Sequence, residues 1–173
     1  MQAALRLHRR PAARPVSRTA PVTLRQATVA DAHIIHGLIV DHLAEGHLLP
    51  RERAEIGEHV HRFIVATQGT RVIACAELAP LSSAVAEVRS FVVSRDARNL
   101  GLGTRLVDAL YSRAQDAGFA TLCAFTHSPG YFVRLGFAIV PHQWLPEKIA
   151  TDCVGCRHFQ RCGQYAVSRT VNG

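Results

Sequence analysis

The chain has 173 residues, of which 48% are hydrophobic, enough apolar material for one domain with a sizeable core. No apolar run reaches the roughly 20 residues of a membrane helix and the N-terminus lacks the apolar stretch of a secretory signal, so a cytoplasmic protein with no membrane partner is expected. The net charge of +7 does not mark a specific nucleic-acid binder, because Arg6, Arg9, Arg10, Arg14, Arg18 and Arg25 all precede the first acid, Asp31, and without them 14 basic residues face 13 acidic ones.

Residues 1–20, with Pro11 and Pro15 among the arginines, read as a disordered basic extension; an organelle-targeting peptide would share this composition. Residues 21–173 form the folded domain, ending in a cysteine-containing segment. Val22 to Ala27 alternates at period two and is predicted as a strand. A helix is expected from Asp31, placed as its N-cap, with Ile34, Ile35, Leu38, Ile39 and Leu43 as the apolar stripe and Gly46 as the stop. Pro50 suits the entry to a second short helix, residues 51–59. Strands at 63–66 and 72–76 flank Gln68-Gly69-Thr70 as a hairpin, and a longer strand spans 84–93. The next helix runs to Ala117 with Gly118 beyond it, followed by a strand at 120–126, a short helix at 129–135, and strands at 137–140 and 164–168. The order β-α-α-β-β-β-α-β-α-β-β describes a mixed α/β sheet with helices on both faces and one parallel crossover.

Arg98-Asn99-Leu100-Gly101-Leu102-Gly103-Thr104 stands between the strand ending Phe91-Val92-Val93 and the helix that follows. A strand that turns directly into a helix leaves the first backbone N–H groups of that helix unpaired at the positive end of its dipole, a natural seat for phosphate. Gly101 and Gly103 let the backbone approach an anion, and Arg98 can add a charge-assisted contact.

This Arg-x-x-Gly-x-Gly turn, together with Leu135-Gly136-Phe137 near the C-terminus, resembles the GNAT superfamily of acetyl-CoA-dependent N-acetyltransferases. The resemblance covers residues 22–170. It implies a mostly antiparallel sheet in which the fourth and fifth strands form a parallel, splayed pair, with main-chain groups around Phe91, Val92 and Val93 facing the pantetheine and the acetyl oxygen. It further implies that Arg98, Asn99, Leu100, Gly101, Leu102, Gly103 and Thr104 hold the pyrophosphate. A narrower likeness is to the acetyltransferase domain of N-acetylglutamate synthase, in its short single-domain form. It rests on His47-Leu48-Leu49-Pro50-Arg51, Ala74-Cys75-Ala76-Glu77-Leu78-Ala79-Pro80, Ala86-Glu87-Val88-Arg89-Ser90, Leu145-Pro146-x-Lys148 and Asp152-Cys153-x-x-Cys156.

Acetyl transfer to an amine needs a proton acceptor, a donor site for the carbonyl oxygen and an acid for the leaving thiolate. Glu87 is the expected base, with Glu77 as substitute and a solvated or salt-bridged strand residue as the plainer reading. The family likeness points to Ser128 as the acid. Many superfamily members use a tyrosine four residues before the Gly of Leu-Gly-Phe; Phe132 stands there and Tyr131 is one residue off, while His127 is a third candidate. Carboxylates of a small acidic substrate call for fixed cations. Arg51 matches the family's substrate-binding arginine, Lys148 is the single lysine among 19 arginines, and Arg89 shares a strand face with Glu87.

Cys75 and Cys123 lie in strand patterns as small core residues. Cys153-x-x-Cys156-x5-Cys162, with His158 inside it, has ligand types suited to a structural zinc but lacks a second Cys-x-x-Cys pair; free thiols are the alternative. The expected activity is N-acetylation of the α-amine of L-glutamate, with acetyl-CoA as co-substrate and the first step of arginine biosynthesis as its setting. Alternatives are another amine (glutamine, a drug or a protein N-terminus) or a non-catalytic CoA-binding or metal-sensing module. A homodimer is left open.

Overall fold

The computed structural model describes residues 20–171. The basic extension expected at residues 1–20 lies outside them except for Ala20. Seven strands form one sheet in the order β1-β2-β3-β4-β5-β7-β6. They are β1 Thr23–Gln26, β2 Phe63–Gln68, β3 Arg71–Pro80, β4 Val85–Val93, β5 Thr121–Thr126, β6 Ala138–Val140 and β7 Tyr165–Thr170. All neighbours are antiparallel except β4 and β5. The main helices are α1 Ala32–His42, α2 Arg53–Glu58, α3 Leu102–Asp116 and α4 Pro129–Val133.

Alternation along the strands divides the interior in two. On one face Ile64, Ala66, Leu78, Ala86 and Val88 pack with the α3 stripe of Leu102, Leu106, Val107, Leu110 and Ala114. On the other, Phe63, Val65 and Val92 pack with Ile35, Leu38 and Ile39 of α1 and Ile56 of α2. Strand residues i and i+2 share a face, so a sheet between two helical layers must bury both sets, and β2 is buried at five of its six positions. Fully burying one of these larger side chains is worth about 1.5–3 kcal/mol.

The entry to α1 and the end of β3 each add a feature that the sequence reading did not include. Asp31 stands at the N-cap position of α1, as expected, but its side chain makes no cap bond to that helix. It belongs to a preceding 3-10 turn, Val29–Asp31, capped by Thr28, whose N–H and hydroxyl donate to the Asp31 carboxylate at 2.8 and 2.9 Å. This is a capping box three residues upstream of the expected start. Arg25 grips the same carboxylate with two hydrogen bonds of 2.7 and 2.8 Å, and this contact, with the Thr28 bonds, holds the Asp31 carboxyl well below its ordinary pKa despite its burial. β3 continues four residues past its expected end, because Glu77 and Pro80 pair with Arg89 and Ala86 of β4.

β4 and β5 separate early. Their register runs only from Val85↔Thr121 to Glu87↔Cys123, although β4 continues to Val93. The β3–β4 register slips between Cys75 and Glu77, and Ser90 takes a left-handed φ of 50° there. A bulge of this kind bends its strand and re-aims a side chain.

Candidate active site

A cavity of about 1200 Å³ opens where β4 leaves β5. At one end is the turn from β4 into α3. Asn99 and Gly101 have φ of 65° and 71°, and Gly101 is the last residue before the helix. This sequence of left-handed residues brings the turn onto the α3 N-terminus, as the phosphate reading requires. Gly103 is needed for a different reason: a Cβ there would fall on the Tyr131 hydroxyl and come within 3.0 Å of Phe91 Cζ. Phe91 and Tyr131 pack with ring centroids 5.9 Å apart and line the cavity.

Arg98 is placed beside this turn, but its guanidinium is already engaged. Its Nη2 donates to Glu45 at 2.6 Å, and Arg95 holds the other oxygen of Glu45 at 2.8 Å. Glu45 lies after α1, 53 residues away in sequence, and no local spacing announces the contact. Any phosphate in the turn therefore shares Arg98 with Glu45 and relies first on backbone amides.

The opposite end of the cavity collects the charged residues singled out by sequence. Arg51, in the segment before α2, donates to Glu55 at 2.8 and 3.1 Å, to Glu77 at 3.0 Å and to the Ser90 hydroxyl at 3.1 Å. The bulge presents Ser90 for this purpose. Lys148 lies on a short helical segment, Pro146–Lys148, that continues as a π-helical turn, Ile149–Cys153. Its Nζ is 2.8 Å from Glu87 and 2.8 Å from Asp152. Arg89 closes the ring, with Nη2 at 2.6 Å from Glu87 and 2.5 Å from Asp152. Burial alone would lower the Arg89 pKa, but Glu87 and Asp152 outweigh it and the net shift is upward. Asp152 moves the other way: burial opposes its ionisation, while Lys148, Arg89 and Arg51 together hold its carboxyl below the ordinary value.

Arg51, Glu87, Arg89 and Lys148 thus line one chamber with Phe91, Val92 and Val93. From Val88 onward β4 has no partner on β5, so its main chain borders the cavity rather than a neighbouring strand. Ser128 lies at the lip, exposed, before Pro129 at the start of α4. His127 faces His47 across the same opening, their ring centroids 5.7 Å apart. The Tyr131 hydroxyl overlies Gly103 and contacts Thr104; burial raises its pKa and the Thr104 bond lowers it, with a net upward shift.

Asp152 is the site residue that the sequence did not single out. Its signal was the Lys148-x-x-x-Asp152 spacing, which puts both on one side of a helical turn. The zinc set, by contrast, is not assembled. Among the described residues no group of three or more His, Cys, Asp or Glu side chains is placed to hold a metal ion. The segment instead folds into successive tight turns, Cys156 N–H to Cys153 O and Phe159 N–H to Cys156 O, and His158 Nε2 meets Arg157 Nε at 3.1 Å. Cys75 and Cys123 are buried free thiols whose pKa burial pushes up to about 12.

Residues 33–137 match the Acetyltransferase (GNAT) family. The chain belongs to that family. This GNAT chain is 31% identical over 152 residues to an uncharacterized N-acetyltransferase of Chlorobaculum tepidum, spanning 88% of this chain and 98% of that one. It is 32% identical over 134 residues to an amino-acid acetyltransferase of Ralstonia nicotianae, covering 76% of this chain and 30% of the relative. N-acetylglutamate synthase of Neisseria gonorrhoeae, solved with coenzyme A and N-acetyl-glutamate, superposes with a TM-score of 0.79 at 25% identity, covering 89% of this chain and 36% of that one. The chain spans about a third of the length of these amino-acid acetyltransferases. The fold and the enzyme class, an N-acetyltransferase of the GNAT family, agree with the sequence reading, and the amino-acid acetyltransferases are its relatives.

Proposed function

We propose that this enzyme transfers the acetyl group of acetyl-CoA to the α-amine of a small acidic amino acid, with L-glutamate as the acceptor, in the first step of arginine biosynthesis. One observation carries the reading: Arg51, Arg89 and Lys148 converge in a single chamber reached from the phosphate turn along the free edge of β4. Cations grouped in this way suit an acceptor bearing carboxylates. The likeness to amino-acid acetyltransferases supports it.

In this reading the amides of Gly101 to Thr104 seat the pyrophosphate, and the main chain of Phe91 to Val93, which has no β5 partner on that edge, orients the pantetheine and the thioester oxygen. The amine nitrogen attacks the thioester carbon, forming the C–N bond as the C–S bond breaks. Glu87 takes the proton from the ammonium, directly or through water. Its two cations make this possible only when they turn toward an incoming carboxylate and free an oxygen lone pair. Ser128 supplies a proton to the thiolate from the lip of the cavity and recovers one, through water, from the second proton that the nitrogen loses as the amide forms, and Arg51 holds an acceptor carboxylate.

A second reading is favoured by the charge balance: Glu55, Glu77, Glu87 and Asp152 outnumber the three cations they pair with. A neutral amino acid such as glutamine would meet less repulsion. CoA release from acetyl-CoA with a panel of amino acids decides between them. Turnover highest with glutamate is expected; turnover confined to amines without an α-carboxylate, or tight CoA binding with no turnover, would overturn the assignment.

A further inference from the structure

The three chamber cations are already satisfied by the protein's own acids, so an acceptor carboxylate has no unpaired partner there. Something must yield. Glu77 and Glu87 are sealed, with side chains 1% and 4% exposed, and neither can leave without stranding a buried charge. Glu55 is 45% exposed, but it is held by two hydrogen bonds from Arg51, at 2.8 and 3.1 Å, and not by the two cations that face Glu87. Asp152 differs from all three. Its side chain is 33% exposed, and it rests on the two cations, Arg89 and Lys148, that face Glu87.

The backbone that carries Asp152 is bonded within its own segment rather than to the sheet. Backbone bonds across the segment are local: Val154 N–H to Ile149 O, Cys156 to Cys153, Phe159 to Cys156 and Arg161 to His158. None joins it to the sheet among the described residues. Asp152 itself lies in a π-helical turn, a rare geometry often found at functional sites. Exchange of one carboxylate for another on Arg89 and Lys148 leaves their charge compensated, so the swap costs only the local rearrangement.

We propose that Asp152 is a specificity-determining residue that occupies the subsite for the acceptor's second carboxylate and is displaced from Arg89 and Lys148 when a dicarboxylic acceptor binds. This rests on the acidic-acceptor reading above and names the residue that sets its selectivity. A dicarboxylate regains both ion pairs as Asp152 moves out to water. A neutral side chain regains neither, so Asp152 stays.

The test uses the full chain loaded with CoA and glutarate, a dicarboxylate that cannot be acetylated, so binding is read apart from turnover. Asp152→Asn keeps the size of the side chain and removes its charge; it should tighten glutarate binding about tenfold by calorimetry. In the wild-type protein, saturating glutarate should speed amide hydrogen exchange within residues 149–162, which keeps the idea testable even if the variant fails to fold. An unchanged or weaker glutarate affinity in Asp152→Asn, or unaltered exchange in the wild type, would overturn the proposal. Steady-state kinetics separate it from the parent reading. If glutamate is the substrate, its KM falls in Asp152→Asn while that of acetyl-CoA holds. If glutamate is not turned over at all, the acceptor assignment fails, yet a gain in glutarate affinity still upholds the role of Asp152.

Discussion

The Tyr131 hydroxyl stands in the space that a Cβ on Gly103 would fill, with Phe91 Cζ at 3.0 Å from the same point. The phosphate turn and the ring that caps it are therefore fitted to one another. Gly103→Ala should push Tyr131 and Phe91 aside and raise the acetyl-CoA KM at least tenfold. Gly101 has open space around its Cα but a φ of 71°, so Gly101→Ala should cost about 1 kcal/mol of stability through backbone strain. Steady-state kinetics and thermal unfolding of the two variants distinguish a steric from a conformational demand.

Tyr131 and Ser128 should separate in the same assays. Tyr131 lies over the turn, so Tyr131→Phe is expected to alter the acetyl-CoA KM with kcat little changed. Ser128→Ala should lower kcat about tenfold or more with KM values held, if it protonates the thiolate. The opposite pattern would exchange the two roles.

Arg51 bridges Glu55 on the surface and the buried carboxylate of Glu77. Removing one member of a buried pair strands the other, at about 3–5 kcal/mol. Arg51→Ala should thus lower the unfolding midpoint as well as raise the glutamate KM. Arg51→Ala with Glu77→Gln should recover much of the stability and none of the glutamate affinity, as read by chemical denaturation and kinetics. An unchanged glutamate KM would mean that Arg51 only secures Glu77.

Glu87→Gln removes the proposed proton acceptor while keeping its shape. A kcat loss of about 10²–10⁴ with acetyl-CoA KM preserved is expected for a general base. A rise in acceptor KM at constant kcat would instead make Glu87 an anchor for Arg89 and Lys148.

Acid stability tests the capping box. The folded Asp31 pKa is depressed by Arg25 and Thr28, so its contribution is complete above the unfolded value of about 3.9 and is lost as pH falls from there toward the folded value. The wild type should exceed Asp31→Asn in denaturant stability at pH 6, and the gap should narrow below about pH 4. A gap independent of pH across that range would assign the effect to packing.

Periodicity alone determined the sheet's element order, the α3 stripe and the strand-to-helix turn at Gly101 and Gly103, because these depend on residues a few positions apart. The family resemblance marked Arg51, and residue type and strand position marked Glu87, Arg89 and Lys148, before their places in the fold were known. Their arrangement was another matter. That Glu45 takes Arg98, that Tyr131 covers Gly103 and that Asp152 reaches Arg89 are contacts between residues 53, 28 and 63 positions apart. Such contacts follow from where β4 parts from β5 and from the bulge at Ser90, and no local pattern encodes the partner of a charge across a cavity. The sequence specified which charges the site would contain; the tertiary structure decided that they neutralise one another before a substrate arrives.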